Sequence, residues 1–306
     1  MKSNIPWETR KPNVEVKAPA TIREQLGKLC ERGVVISDVD KAYRALESVN
    51  YYRLAHYFAV FFDESGECYK EGTDFNDAVR LYEFDRKLRT ELLVALEEIE
   101  VAFRACVSNY HAVKYGAAGY LNEDSFDRRH NHRGFINKIT HMVDKNSDLS
   151  FVQHHNKKYG GAFPLWVMME MFSFGMLVFF YQDLKLNDKK DIALHYYNLD
   201  CRLAENWLEK LAALRNHCAH YNRVYANPLG WELRKHTIAT PREYEIGAAG
   251  TTLFDFVIIM KCLHKYAAEW GATFADILGG LFGVYSDVVD PKVLGFPEDW
   301  RKFIVS

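Results

Sequence analysis

The chain has 306 residues, of which 48% are hydrophobic and 26% charged, and its formal net charge is −2. This composition is typical of a globular protein with a real core. It excludes a generally basic nucleic-acid coat, so a nucleic-acid site must be a local positive patch or form when chains assemble. The six cysteines form no C-x-x-C pair, which argues against a zinc ribbon or a disulfide framework. With no apolar signal core at the N-terminus and no run long enough to span a membrane, we expect a cytoplasmic protein.

The first quarter of the chain predicts an arm followed by three helices. Residues 1–18 are charged and irregular, and the next helix stops at Gly33. Ser37 with Asp40 resembles a capping box that starts a second helix. A third, strongly aromatic helix follows, and the polar residues 63–72 mark a subdomain boundary.

The longest helical signal runs from Phe75 to Tyr115. It contains no Pro or Gly, and its apolar residues recur at intervals of three and four. We expect one helix of about forty residues, or two nearly continuous ones, ended by Gly116. Within it Glu100 and Arg104 are four residues apart, which predicts an intrahelical ion pair.

The remainder of the chain is again helical in pattern. Helices are predicted over about 134–143, 149–159, 166–181, 188–197, 201–220, 251–268 and 273–285. Pro164 suits the first turn of the apolar 166–181 helix, which we expect to be buried, and Asp200 caps the helix after it. The stretch around Pro241 is irregular. With no β pattern the class is all-α, an antiparallel bundle. The predicted divisions are an N-terminal arm (1–18), a helical subdomain (19–70), a main bundle (71–286) and a tail (287–306).

The densest group of acid–base side chains lies near the end of the predicted 201–220 helix. Leu211–Tyr221 reads L-A-A-L-R-N-H-C-A-H-Y, which brings together Arg215, Asn216, His217 and His220. On an ideal helix one apolar stripe faces the core, formed by Trp207, Leu211, Leu214, Cys218 and Tyr221. Asn216 and His220 are neighbours on the opposite side, so this chemistry points to solvent or to a second chain.

Three interpretations of this pattern are open on the residues alone. It can be an exposed polar helix end, where the helix dipole favours His220. His217 and His220 can hold a metal at the helix edge, although no further ligand has suitable spacing, so we expect no metal and no cofactor. Arg215 and His220 can act on phosphate without a metal, because imidazole exchanges protons near neutral pH and guanidinium binds phosphoryl oxygens.

Several stretches of the chain resemble known families. Leu214–His220, followed by Asn222 and Arg223, resembles the signature of the HEPN superfamily of ribonucleases, which is Arg, a polar residue, three further residues and His. Other stretches resemble the Abi-like abortive-infection proteins of the AbiD/AbiF type. They are A-L-E-S-V-N-Y-Y-R-L-A-H-Y at 45–57, L-Y-E-F-D-R-K-L-R at 81–89, I-E-V-A-F-R at 99–104, P-L-W-V-M-M-E-M-F-S-F-G at 164–175 and L-G-F-P-E-D-W at 294–300. They occur in family order between about residues 19 and 300.

This resemblance implies a HEPN-type helical bundle that forms a homodimer with the two motifs facing each other. It implies that Arg215 and His220 are the catalytic pair of a metal-independent endoribonuclease and that Asn216 orients them. The expected supporting residues are His217, Glu100 and Arg104. The ribose 2′-OH would attack the adjacent phosphate and leave a 2′,3′-cyclic phosphate. The implied role is anti-phage defence or toxicity, restrained or guided by a small RNA.

Basic residues outside the motif are the first candidates for RNA phosphate contacts, although such clusters are commonly just solvated surface. They are Arg128, Arg129, Arg133, Lys157, Lys158 and Arg223. A second function also fits the sequence, namely a catalytically idle RNA-binding or scaffolding homodimer that uses the same Arg and His for phosphate contact. We expect neither DNA nor a membrane as a partner.

Overall fold

The computed structural model describes residues 17–234, 244, 246, 251–264 and 267–305. Within these ranges the regular structure is helical, with isolated β-bridges and no strand, which confirms the all-α prediction. The described α-helices are α1 (Ile22–Glu31), α2 (Val39–Ser48), α3 (Tyr51–Phe58), α4 (Phe75–Tyr115), α5 (His132–Lys145), α6 (Ser150–Tyr159), α7 (Leu165–Met168), α8 (Phe174–Asp183), α9 (Leu186–Tyr197), α10 (Cys201–Ala219), α11 (Leu253–Leu263), α12 (Ala267–Val284) and α13 (Arg301–Val305). None of these helices is both long and apolar enough to cross a bilayer.

Two of the sequence predictions concern parts of the chain that the structure does not describe. The irregular arm over 1–18 lies outside the described residues except for 17 and 18, and so does the stretch around Pro241. The chain divides into two compact units, Met1–Glu83 and Phe84–Ser306. The predicted division into an arm (1–18), a helical subdomain (19–70), a main bundle (71–286) and a tail (287–306) stays a prediction.

Helix α2 of the first unit begins one residue later than its predicted cap. Asp38, not Ser37, is the N-cap residue, and its carboxylate accepts the backbone N–H of Lys41 at 2.8 Å. The Ser37 N–H instead donates to the carboxylate of Asp74 at 3.1 Å. The predicted capping box was therefore wrong. The carboxylate of Asp38, rather than the hydroxyl of Ser37, accepts a backbone N–H of the first turn of α2.

Helix α4 is one continuous helix of 41 residues, as its periodicity predicted. Gly116 follows it with φ +85°, a left-handed conformation that glycine adopts without a steric penalty. The part of α4 in the second unit buries a stripe that includes Leu88, Leu92, Leu96 and Phe103. Polar residues of α4 that lie outside this stripe contact other parts of the unit, as Asp85 does at Val224 and Arg104 does at Met169.

The predicted single buried helix over 166–181 is wrong. The segment consists of α7, a 3₁₀ turn at Met169–Met171 and α8, and the break falls at Phe172 and Ser173. The Ser173 hydroxyl caps α8 by accepting from the N–H of Met176, and Arg104 donates to the carbonyls of Met169 and Phe172. The guanidinium thus satisfies carbonyls that a continuous helix would have used internally.

Helix α10 is the central helix of the second unit and packs against α8, α9 and α11. Asp200 caps it as predicted, accepting the N–H of Arg202 at 2.9 Å. Four predicted core residues of its stripe are buried: Trp207, Leu211, Leu214 and Cys218. Burial raises the pKa of the Cys218 thiol to about 12, so this cysteine is an inert core residue.

Helix α12 begins at Ala267 rather than near Thr273, and α11 ends at Leu263 rather than at Ala268. The earlier start places Gly271 inside α12, where α13 packs closely against it. A Cβ atom on Gly271 would lie 2.1 Å from the carbonyl oxygen of Ile304. The glycine here permits helix packing rather than ending a helix, which the sequence pattern alone does not reveal.

Candidate functional site

The Arg–His motif lies where α10 ends, and the helix terminates within the motif. His220 is the C-cap residue, with φ −88° and ψ 12°, and Tyr221 has φ +61°. The Asn222 N–H donates to the carbonyl of His217 and the Tyr221 N–H to that of Cys218. This is a Schellman motif in which tyrosine occupies the left-handed position that is usually glycine.

The early end of the helix changes two predictions. Tyr221 was expected in the buried stripe, but its side chain is 67% exposed, so that prediction was wrong. The reason is the chain reversal, which turns the residue away from the helix surface. His220, which was predicted to lie in the helix, is the C-cap residue one position beyond its last residue, Ala219.

The side chains of the motif fall into two groups. Asn216 and His220 are exposed, and Arg215 donates to the Asn216 side-chain oxygen at 3.1 Å. Within the described residues the imidazole of His220 makes no hydrogen bond. His217 is half-buried, and its Nε2–H donates to the carbonyl of Arg223 at 2.9 Å. The exposed group therefore offers a guanidinium, an amide and an imidazole to solvent.

His217 has a different neighbourhood from His220. Its ring meets that of Trp231 edge to face, with ring centroids 5.7 Å apart. Together with the bond to Arg223, this contact ties the loop after α10 to the helix. The described residues contain no group of three or more His, Cys, Asp or Glu that could hold a metal ion.

Glu100 and Arg104 of α4 lie beside the motif. The predicted ion pair is present, with Arg104 Nη2 2.7 Å from Glu100 Oε1. The other carboxylate oxygen, Oε2, lies 3.8 Å from Nε of Arg215. Glu100 thus faces two guanidinium groups and is only 12% exposed, where charge interactions are stronger than at the open surface. The carboxylate holds Arg215 at one side of the motif.

A buried ion pair on α4 fixes the loop that follows the motif. Asp85 pairs with Arg89, and both are almost completely buried. Asp85 Oδ1 also accepts the N–H groups of Val224 and Tyr225 at 3.0 and 2.8 Å. Arg89 donates to the carbonyl of Asn222 at 3.4 Å. A buried carboxylate needs such donors, so this network anchors the loop to α4.

Asp85 and Arg89 were not among the predicted site residues. A signal existed, because both lie in the stretch 81–89 and are four apart on the apolar side of a long helix. A charged pair spaced in this way among buried residues indicates a structural network. Their partner in the fold, the backbone at 224 and 225, could not be inferred from helical periodicity.

Of the six predicted RNA-contact residues, Arg223 adjoins the motif, since its carbonyl accepts from His217, and the other five belong to the segment 128–158. Four of these side chains are exposed and make no ion pair within the described residues, namely Arg128, Arg133, Lys157 and Lys158. Arg129 is also exposed and pairs with Asp127 at 2.9 Å. Arg223 is half-buried and donates to the carbonyl of Ala226 at 3.2 Å. Within the described residues, no hydrogen bond or ion pair joins Arg128, Arg129, Arg133, Lys157 or Lys158 to Arg215 or His220.

The fold and site define an all-α protein that exposes an Arg–His motif at a helix end. The Abi-like protein family matches residues 44–226, which is more than half of the chain and includes the motif, Glu100 and Arg104. The chain therefore belongs to the Abi-like protein family, which confirms the Abi-like resemblance inferred from its sequence. No curated protein and no solved structure matches the chain.

Proposed function

We propose that this protein is a metal-independent endoribonuclease of the HEPN type that acts in abortive infection. Membership in the Abi-like family suggests the abortive-infection role. The observation that carries the catalytic proposal is the exposed group at the end of α10. There the imidazole of His220 is exposed and makes no hydrogen bond within the described residues, and the guanidinium of Arg215, 37% exposed, belongs to the same helix end.

The chemistry assigns one role to each side chain. His220 takes the proton of the ribose 2′-OH, and the oxygen attacks the adjacent phosphorus. The new 2′-O–P bond forms as the P–O5′ bond breaks, and the 5′-oxygen receives a proton. Arg215 binds the phosphoryl oxygens, whose negative charge increases in the transition state. Asn216 holds the guanidinium through its side-chain oxygen. The products carry a 2′,3′-cyclic phosphate and a 5′-hydroxyl.

A homodimer belongs to this proposal. The reaction needs one group that accepts a proton and another that donates one, whereas each motif offers one exposed imidazole, that of His220. A twofold dimer with facing motifs would supply both. A small RNA bound to the dimer would restrain or guide the activity. Light scattering at micromolar concentration tests the assembly, and a monomer would contradict it.

The decisive experiment compares cleavage with binding. Wild-type protein, stripped of co-purifying RNA by high salt, is incubated with a broad panel of RNAs in EDTA. We expect cleavage, cyclic phosphate ends by mass spectrometry, and a loss of about 10²–10⁴-fold in rate for His220→Ala with RNA binding retained. Arg215→Ala should lose cleavage and also some affinity. His195→Ala, an exposed histidine on α9, is the matched control and should cleave normally.

The outcome also decides between enzyme and scaffold. A catalytically idle RNA-binding dimer would show no cleavage above that of the Arg215→Ala, His220→Ala double variant, and the double variant would lose RNA. If stripped wild-type protein cuts no RNA in the panel, the ribonuclease assignment is wrong.

A further inference from the structure

A cavity of about 640 Å³ opens between α5, α6 and the segment that leads into α7. We name it the α5–α6 cavity. Its floor is apolar and includes Ile139, Val143 and Met168. A cavity of this size is in the range that holds small organic groups. It lies apart from the residues of the Arg–His motif, none of which lines it.

One side of the α5–α6 cavity is a set of aromatic rings. His155 stacks on Phe163 with a centroid distance of 5.3 Å and an interplanar angle of 20°, and Tyr159 lies 5.2 Å from His155. Trp166 and Tyr159 are also 47% and 49% exposed, although large aromatic residues are usually buried. Exposed rings around an apolar floor suit a planar ligand that stacks on them.

The cavity lies in the most basic part of the chain. Segment 128–159 has seven Lys and Arg and two Asp, a net charge of +5 with His neutral, whereas the whole chain has −2. Lys157 and Lys158 are exposed and directly precede Tyr159, which lines the cavity, and Lys158 Nζ lies 5.0 Å from the centroid of the Tyr159 ring. Such a rim attracts a ligand that carries negative charge next to its planar group.

Polar side chains at the cavity can contact the edge of a planar ring. Asp144 and Asn156 line it, both are exposed, and within the described residues their side chains make no hydrogen bond. A carboxylate accepts from exocyclic amino groups, and an amide both donates and accepts. These are the groups with which proteins bind the Watson–Crick edges of unpaired bases.

We propose that the α5–α6 cavity binds one unpaired base of an RNA strand, with the flanking phosphates on Lys157 and Lys158. The inference rests on the proposed function in taking RNA as the ligand, and it adds a recognition site for single strands. Asp144 favours a base with an exocyclic amino group. An apolar ligand would use the floor but would leave the basic rim and the edge-facing polar groups without a role.

The cavity is connected to the motif through the protein. Trp166 and Met168 belong to α7, and the carbonyl of the next residue, Met169, accepts from Arg104 at 3.0 Å. Arg104 pairs with Glu100, which faces Arg215. A base bound in the cavity therefore lies at a fixed distance from Arg215. This distance determines which phosphate of the bound strand reaches the Arg–His motif.

Fluorescence anisotropy tests the proposal with single-stranded RNA 12-mers on the full-length His220→Ala protein, which preserves the RNA. Base stacking contributes about 1–3 kcal/mol, so we expect Trp166→Ala to weaken binding about tenfold or more. Trp166→Phe should retain most of the affinity because it keeps a ring. The matched control is Phe179→Ala, because Phe179 is 62% exposed on α8 and does not line the cavity. Duplex RNA of the same sequence should not respond to Trp166→Ala, because its bases are already stacked.

Photo-crosslinking locates the base independently of activity. A single-stranded RNA with one 4-thiouridine is irradiated on the protein, and mass spectrometry identifies the attached peptide. We expect attachment within 155–168, and attachment only elsewhere would overturn the proposal. If binding depends on Trp166 but no RNA is cleaved, the cavity proposal is supported and the ribonuclease proposal is wrong. If Trp166→Ala cleaves RNA normally and binds it with unchanged affinity, the ribonuclease proposal is supported and the cavity proposal is wrong.

Discussion

Glu100 Oε2 lies 3.8 Å from Nε of Arg215, although 115 positions of sequence separate the two residues. The same carboxylate binds Arg104 through its other oxygen at 2.7 Å. Arg104 in turn holds the backbone at the break between α7 and α8. The orientation of the motif arginine therefore depends on a residue of α4 that does not need to touch substrate.

This relationship predicts the effect of Glu100→Gln. The amide keeps the shape but loses the charge, so Arg215 samples more orientations, and we expect kcat to fall about 10- to 100-fold with little change in KM. The unfolding free energy should fall by about 1–2 kcal/mol, because Arg104 loses its charged partner. Glu97→Gln, an exposed change on the same helix, is the control. Equal kcat in both variants would contradict a positioning role.

Asp85→Asn should destabilise the protein strongly. It removes the carboxylate charge that pairs with the buried Arg89 and weakens the anchor of Val224 and Tyr225, which we expect to cost about 3–5 kcal/mol in urea unfolding. Amide hydrogen exchange should accelerate first at Val224 and Tyr225. Glu91→Gln on the same helix should change neither quantity. Unchanged exchange at these two amides would show that Asp85 does not anchor the loop.

Tyr221→Asn should stabilise the protein. A left-handed backbone costs most L-residues roughly 1–2 kcal/mol, and asparagine tolerates it better, so we expect a gain of about 0.5–1 kcal/mol. Helix α9 offers the reciprocal control, because it already ends on Asn198 with φ +52°. Asn198→Tyr should destabilise by a similar amount. If Tyr221→Asn and Asn198→Tyr shift the thermal unfolding temperature in the same direction, the argument from backbone strain is wrong.

The buried His111 predicts a pH dependence of stability. Its two ring nitrogens have no hydrogen-bond partner in the described residues, and burial lowers its pKa to about 4, opposed in part by the charge of Asp188. In the unfolded chain a histidine has a pKa of about 6.5. Between these two pH values the unfolded state binds more protons than the folded state. The contribution of the neutral His111 to stability is therefore complete above about pH 6.5 and is lost as the pH falls towards about 4.

The measurement for His111 is urea unfolding at pH 7.5 and pH 5.0. The loss of stability on acidification should be about 2 kcal/mol smaller in His111→Phe than in wild type. The exposed His195→Phe serves as the control and should lose as much as wild type. The prediction fails if wild type and His111→Phe lose stability equally.

The sequence alone determined the local structure of much of the chain. The run from Phe75 to Tyr115 repeats its apolar residues at helical spacing without Pro or Gly, and such a run forms a helix because one face can be buried. Periodicity also located the buried residues of α10, whereas a helix-ending glycine and a capping aspartate located the end at Gly116 and the cap at Asp200. The Abi-like family was also recognisable from short stretches in order.

Only the tertiary structure decided how these elements form a site. Periodicity is a local property, so it could not show that Glu100 meets Arg215, or that Asp85 receives the backbone of residues 224 and 225. It also missed the break before Ser173 and the left-handed Tyr221. In each case hydrogen bonds or charges from distant residues outweigh the local preference of the chain, because buried polar groups must find partners wherever the fold supplies them.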